Sequence, residues 1–140
     1  MLVDANVLLY SVDSTSTHHE ASSRWMKEGL AGQKRIALPW TSLGAFLRSA
    51  THPRVFREPL TSAQAWSCVS AWMVSPVVWI PPSGERTLTI LGGLIQRYDV
   101  TANLVPDAQL AALAIEHGIP IVTYDTDFER FAEVDTLLPV

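Results

Sequence analysis

In Met1-Leu2-Val3-Asp4-Ala5-Asn6-Val7-Leu8-Leu9-Tyr10, a short apolar run stops at a carboxylate and a second apolar run begins at once. That pattern is a buried strand delivering Asp4 to its C-terminal tip, followed by the opening of a helix. Open α/β sheets bind ligands outside the carboxyl ends of their strands, so an acid at that tip stands where chemistry is done. Asp is also a good helix N-cap, and alone Asp4 is better explained as one. Chemistry requires other carboxylates at the same edge.

Working outward, Ala5 to Ser11 reads as a short helix, and Asp13 to Thr17 as a polar loop offering Ser14, Thr15 and Ser16 as caps. His18 to Leu30 is helical in spacing. The tandem His18-His19 suggests a metal, but adjacent helix positions do not face each other, which favours solvent exposure or a cap contact. Ile36 to Leu38 is strand-like and ends at Pro39. Thr41 to Thr51 forms a helix with Leu43, Phe46, Leu47 and Ala50 toward the core and Thr41, Ala45, Arg48 and His52 on a different face. His52-Pro53 breaks it, and Arg54 to Pro59 is loop.

Further on, Ser62 to Met73 is helical, Val77 to Ile80 a strand, and Ser83 to Tyr98 a helix in which Gly92-Gly93 permits close packing. Asp99 to Val105 is loop. Pro106 suits a first helical turn, and the nearly all-apolar Ala108 to His117 is a helix buried on most sides, ended by Gly118. Ile119 to Val122 is a buried strand. Thr123-Tyr124-Asp125-Thr126-Asp127 follows, Phe128 begins a short last helix, and Leu137 to Val140 forms a sheet edge. Alternating strands and helices predict one α/β domain over residues 1–140 with a largely parallel sheet.

With 140 residues and 48% hydrophobic composition, the chain has enough apolar material for a substantial core. It has no apolar run of membrane-spanning length and no secretory signal pattern. The single cysteine, Cys68, excludes an internal disulfide and reads as a core thiol. These features predict a soluble cytoplasmic protein. The net charge of −4 is unevenly spread. Between Glu28 and Glu58 there is no acid, while Lys34, Arg35, Arg48, Arg54 and Arg57 fall there; acids dominate from Asp99 onward. Such a basic middle could steer a polyanion toward an acidic centre, or could simply be a solvated face.

Connectivity gathers the acids. A helix preceding a parallel strand starts at the edge where the previous strand ended. Asp107 is therefore delivered to the edge that carries Asp4, Asp125 and Asp127. Crowded carboxylates repel unless a cation neutralises them. Hard oxygen donors without Cys or paired His suit Mg²⁺ or Mn²⁺, and such a centre can activate water for displacement at phosphorus. The residues thus predict metal-dependent phosphodiester hydrolysis.

Leu2 to Tyr10, Asn103-Leu104-Val105-Pro106-Asp107-Ala108-Gln109-Leu110-Ala111-Ala112-Leu113-Ala114 and Thr123-Tyr124-Asp125-Thr126-Asp127-Phe128 resemble the acid motifs of PIN-domain ribonucleases, specifically the VapC-type toxins of VapBC toxin–antitoxin pairs. Pro39-Trp40, Phe46-Leu47-Arg48 and Thr51-His52-Pro53-Arg54-Val55-Phe56 resemble the mycobacterial-type branch. The resemblance implies a three-layer α/β/α fold and a Mg²⁺-dependent ribonuclease that is the toxin of a type II pair. It implies Asp4 and Asp107 as direct ligands, with Asp125 completing the cluster and Asp127 supporting or substituting. Asn6 and Thr123 would hold the first and last acids. RNA is the implied substrate and a VapB-type antitoxin the implied partner, with a homodimer as the usual assembly and no membrane association. Arg48, Arg54 and Arg57 are candidate phosphate contacts.

One departure stands out: Ala45 occupies the position where most PIN nucleases carry a second acid. The alternative is therefore a degenerate PIN domain that binds antitoxin or RNA with little cleavage. A receiver-like signalling domain fits poorly, because Lys27 and Lys34 are the only lysines and both come too early. Neither G-x-G-x-x-G nor a Walker pattern occurs.

Overall fold

In the computed structural model, which describes residues 1–140, five strands lie in the order β3-β2-β1-β4-β5, all parallel. They are β1 (Leu2–Val3), β2 (Ile36–Ala37), β3 (Val78–Trp79), β4 (Ile121–Val122) and β5 (Thr136–Leu137). The helices are α1 (Ala5–Val12), α2 (His19–Ala31), α3 (Trp40–Ala50), α4 (Ser62–Val74), α5 (Glu85–Tyr98) and α6 (Val105–His117). None of them is long and apolar enough to cross a membrane.

The chain builds outward from β1 to β2 and β3, then returns across the sheet to place β4 on the other flank of β1. Right-handed crossovers running in opposite directions put their helices on opposite faces. Accordingly α1 to α4 share one apolar cluster with Val3, Ile36, Leu38 and Val122, and α5 and α6 share the other with Leu2, Ala37 and Ile121. Adjacent strand residues alternate between the two clusters, as the pleat requires. The three-layer α/β/α architecture predicted above is the one observed.

Several boundaries move for local reasons. β4 begins at Ile121 rather than Ile119, because Pro120 has no N–H and the Ile119 N–H donates to the Ala114 carbonyl at the end of α6 (3.1 Å). β5 pairs at Thr136–Leu137 instead of extending to Val140; Pro139 cannot donate to a ladder, and Leu138 and Val140 are exposed. The loop before α6 contains a 3-10 turn at Ala102–Leu104. The last short helix is a 3-10 turn from Thr126 to Arg130, starting ahead of Phe128. The loop before α2 supplies no side-chain cap to that helix.

Gly92 and Gly93 do not serve close packing: a Cβ built at either meets no atom within 4 Å. α6 behaves as its sequence foretold, with Ala108 and Leu110 to Ala114 buried between the sheet and α5. Gly118 closes it at φ 63°, a left-handed conformation that glycine adopts without a Cβ penalty. Cys68 is half-buried against the α1–α4 cluster, and burial pushes its thiol up, away from thiolate reactivity.

Candidate metal centre at the sheet switch point

The order reverses between β1 and β4, and at that crevice the acids gather. β1 and β4 run side by side, and the ladder continues one residue further, with the Asp4 N–H donating to the Val122 carbonyl (3.0 Å). Asp4 and Thr123 therefore leave the sheet as neighbours.

Asp4 fills the capping role that the sequence allowed, and it stands at the edge where the other acids gather. Its Oδ1 accepts the Ala5 N–H (2.7 Å) and caps α1. Its Oδ2 accepts the Thr123 hydroxyl (2.7 Å) and the Asn6 side-chain amide (3.0 Å). Asn6 also donates to Thr123 Oγ1 (3.1 Å), and its own Oδ1 accepts the Tyr124 N–H (3.3 Å). Thr123 Oγ1 in turn accepts the Asp125 N–H (2.9 Å). Asn6 and Thr123 thus tie the two strand tips together and fix the first and last acids relative to each other.

Asp125 turns the chain: its Oδ1 accepts the Asp127 N–H (2.8 Å) and caps the 3-10 turn. Asp107 projects from the first turn of α6, where the helix dipole favours negative charge. One carboxylate oxygen from each of Asp107, Asp125 and Asp127 lies within 4.8 Å of the others. Asp4 is not in that tightest trio, because its oxygens are aimed at Ala5, Asn6 and Thr123. It shares instead a small cavity of about 80 Å³ with Asp107.

Burial is the largest influence on Asp107, and the charges of Asp125, Asp4 and Asp127 add to it. Together they raise its pKa to about 6, with only Arg130 pulling the other way. Burial also raises Asp4, against the hydrogen bonds from Thr123 and Ala5 and with a further push from Asp125. The centre therefore holds more negative charge than it stabilises by itself. Oxygens coordinating one Mg²⁺ at about 2.1 Å lie at most ~4.2 Å apart. Three carboxylates gathered this closely, all hard oxygen donors, fit a divalent cation of that kind once their side chains draw in around it.

Ala45 lines the Asp4–Asp107 cavity. Arg48, one turn on, lines the adjoining groove with Trp40, Thr41, Ala45 and Gln109. Arg54 and Arg57 are exposed in the loop after α3 and line neither space. None of these three arginines is in an ion pair.

The tandem histidines belong to no metal-holding group. His18 stacks on Tyr124 (4.1 Å between centroids), and His19 Nδ1 bonds the Tyr10 carbonyl oxygen (2.8 Å). Sequence reasoning missed Arg130, whose Nε donates to the Asp127 carbonyl (3.2 Å) and whose charge bears on Asp107. Its signal was the three-residue spacing from Asp127. It also missed Ser42, a buried polar residue on the cavity wall, for which the sequence holds no signal.

The PIN domain family model matches residues 1–134. Ribonuclease VapC37 of Mycobacterium tuberculosis is 44% identical over 133 residues, spanning 95% of this chain and 92% of that protein. Ribonuclease VapC33 of the same species is 37% identical, spanning 96% and 94%. Among solved structures, VapBC2 from Rickettsia felis bound to a promoter DNA fragment gives a TM-score of 0.73 at 16% identity, covering 98% of this chain and 96% of that one. The sarcin–ricin-loop-cleaving toxin VapC20 of M. tuberculosis gives 0.69 at 18% identity, covering 96% and 98%. At those identities the structures speak for the fold alone, whereas the profile and the sequence relatives decide kinship: the chain belongs to the PIN domain family, in the branch of the VapC ribonucleases.

Proposed function

We propose that this chain is a Mg²⁺-dependent ribonuclease, with Mn²⁺ able to substitute, and the toxin of a type II toxin–antitoxin pair acting in the cytoplasm. The observation that carries the proposal is the convergence of Asp107, Asp125 and Asp127 oxygens within 4.8 Å, beside Asp4, at the switch point of a parallel sheet. Asp4, Asp107 and Asp125 hold the ion, with Asp127 as a further donor. The bound cation supplies charge neutralisation at the scissile phosphate and lowers the pKa of water.

The chain's own residues do the rest. Asn6 and Thr123 keep Asp4 and Asp125 at fixed separation, so the carboxylates need not reorganise when substrate arrives. Asp125, whose Oδ1 is held by the Asp127 N–H, helps to position the attacking water. Arg48 lies in a groove of about 320 Å³ that shares Thr41, Ala45 and Pro106 with the acid cavity. A single strand laid in that groove meets the Arg48 guanidinium through phosphate and the exposed Trp40 ring through a base. Arg54 and Arg57 extend the positive surface along the next loop.

An antitoxin that follows the same groove would use the same cations, and assembly as a homodimer fits the family pattern. The decisive experiment maps cleaved ends in total RNA after induced expression, against an Asp4→Asn control and, in vitro, against EDTA. Cleavage that survives both changes defeats the proposal. A binding-only PIN domain is the second reading, favoured by Ala45 on the cavity wall; intact RNA with retained binding is its signature.

A further inference from the structure

Ser42 Oγ is the one buried side-chain oxygen or nitrogen in the chain without a hydrogen-bond partner. The residue is 2% exposed, so any partner must come from the space it adjoins. It lines the same cavity as Asp4, Thr41, Ala45 and Asp107. Buried hydroxyls are almost always paired, and an orphan calls for a partner that occupies the adjoining space. The cavity, at about 80 Å³, has room for water between two carboxylates and two hydroxyl-bearing residues. That space is what the methyl group of Ala45 leaves where a carboxylate side chain would reach in.

We propose that Ser42 is a positioning residue for the divalent cation, its hydroxyl holding the ion's hydration water in the cavity that Ala45 leaves open. The inference rests on the metal-centre reading given above and adds to it the way this chain compensates for position 45. Mg²⁺ retains several waters and takes only one or two carboxylates directly, so a hydroxyl acting on water is a fitting substitute for a missing ligand. Partners of this kind, one step removed from the metal, typically affect affinity 10–100-fold.

The test titrates Mn²⁺ calorimetrically into metal-free parent, Ser42→Ala, Ala45→Glu and the double variant, with melting curves recorded with and without metal. The expected result is about tenfold weaker Mn²⁺ binding for Ser42→Ala, with a metal-free melting temperature equal to or above the parent's, because an unpaired buried hydroxyl has been removed. In the Ala45→Glu background, whose carboxylate fills the cavity, the same Ser42→Ala change should cost little affinity. Equal affinity of parent and Ser42→Ala overturns this inference and leaves the metal centre standing. An undiminished loss in the Ala45→Glu background also overturns it, since Ser42 then acts by general loosening. A parent that binds no Mn²⁺ overturns both readings.

Discussion

Asp107 carries a cost that the folded chain accepts. Its carboxyl binds a proton more tightly in the native protein, at a pKa of about 6, than in the unfolded chain, where the ordinary value is 3.8. Between those values the native state holds more protons, so stability falls as pH rises through that window and levels off above it. Asp4, raised in the same direction, adds to the trend. In EDTA, the parent should therefore melt lower at pH 7.5 than near pH 4.5 as far as these acids contribute, and Asp107→Asn should melt above the parent at pH 7.5. Melting curves at both pH values decide it; an Asp107→Asn variant that melts lower at neutral pH would mean the carboxylate is structural. Metal should reverse the order, because a bound cation favours the ionised form: Mn²⁺ should raise the parent's melting temperature and leave Asp107→Asn little changed.

Residue by residue, the sequence revealed the acids and where they would meet, because strand tips and helix starts follow from periodicity and connectivity. It did not reveal their orientation. Whether Asp4 faces the ion or its neighbours is decided by Asn6 and Thr123, the latter 119 positions away, and hydrogen bonds of that range leave no trace in local pattern. Ser42 is the sharper case. It looks like any helix serine, and only its burial beside Asp4 and Asp107 makes it notable.

Among the elements, α5 departs most from its expected role. The Gly92-Gly93 pair reads as a close-packing motif, yet neither position has a neighbour where a Cβ would project. Glycine inside a helix is worth roughly 0.5–1 kcal/mol less than alanine when nothing requires it. Gly92→Ala should therefore stabilise the monomeric chain by about that amount in urea denaturation, and a destabilised variant would show that another surface packs there. The α4 start makes the opposite case. Thr61 and Gln64 exchange hydrogen bonds in a capping box (3.1 and 2.9 Å), so Thr61→Ala should cost about 1 kcal/mol by the same measurement. Strand ends were the least legible elements, since proline placement and helix caps trimmed β4 and β5 to two paired residues each.

On the scale of the whole molecule, net charge and local charge point in different directions. At −4 the chain should repel a polyanion at long range, but Arg48, Arg54 and Arg57 are exposed and unpaired on and after α3. RNA association should consequently be weak and salt-sensitive. With catalysis blocked by Asp4→Asn, Arg48→Ala should reduce the slope of log affinity against log salt by about 0.7 for a single strand. An unchanged slope in a filter-binding series would take Arg48 off the phosphate path. The overall topology was readable because alternating elements and four acids admit few arrangements, whereas the groove that joins Arg48 to the acids depends on how α3 and the first turn of α6 stand beside each other at the sheet edge.

The switch point also sets an order of events during synthesis. Asp4 and Asn6 are made well before the strand they bond to, the threonine that locks them, and two of the three clustered acids. A polypeptide interrupted at residue 100 carries a single member of the acidic set and nothing to hold it in place. A chain that stops short of β4 therefore lacks the acidic centre, whatever the state of its earlier elements.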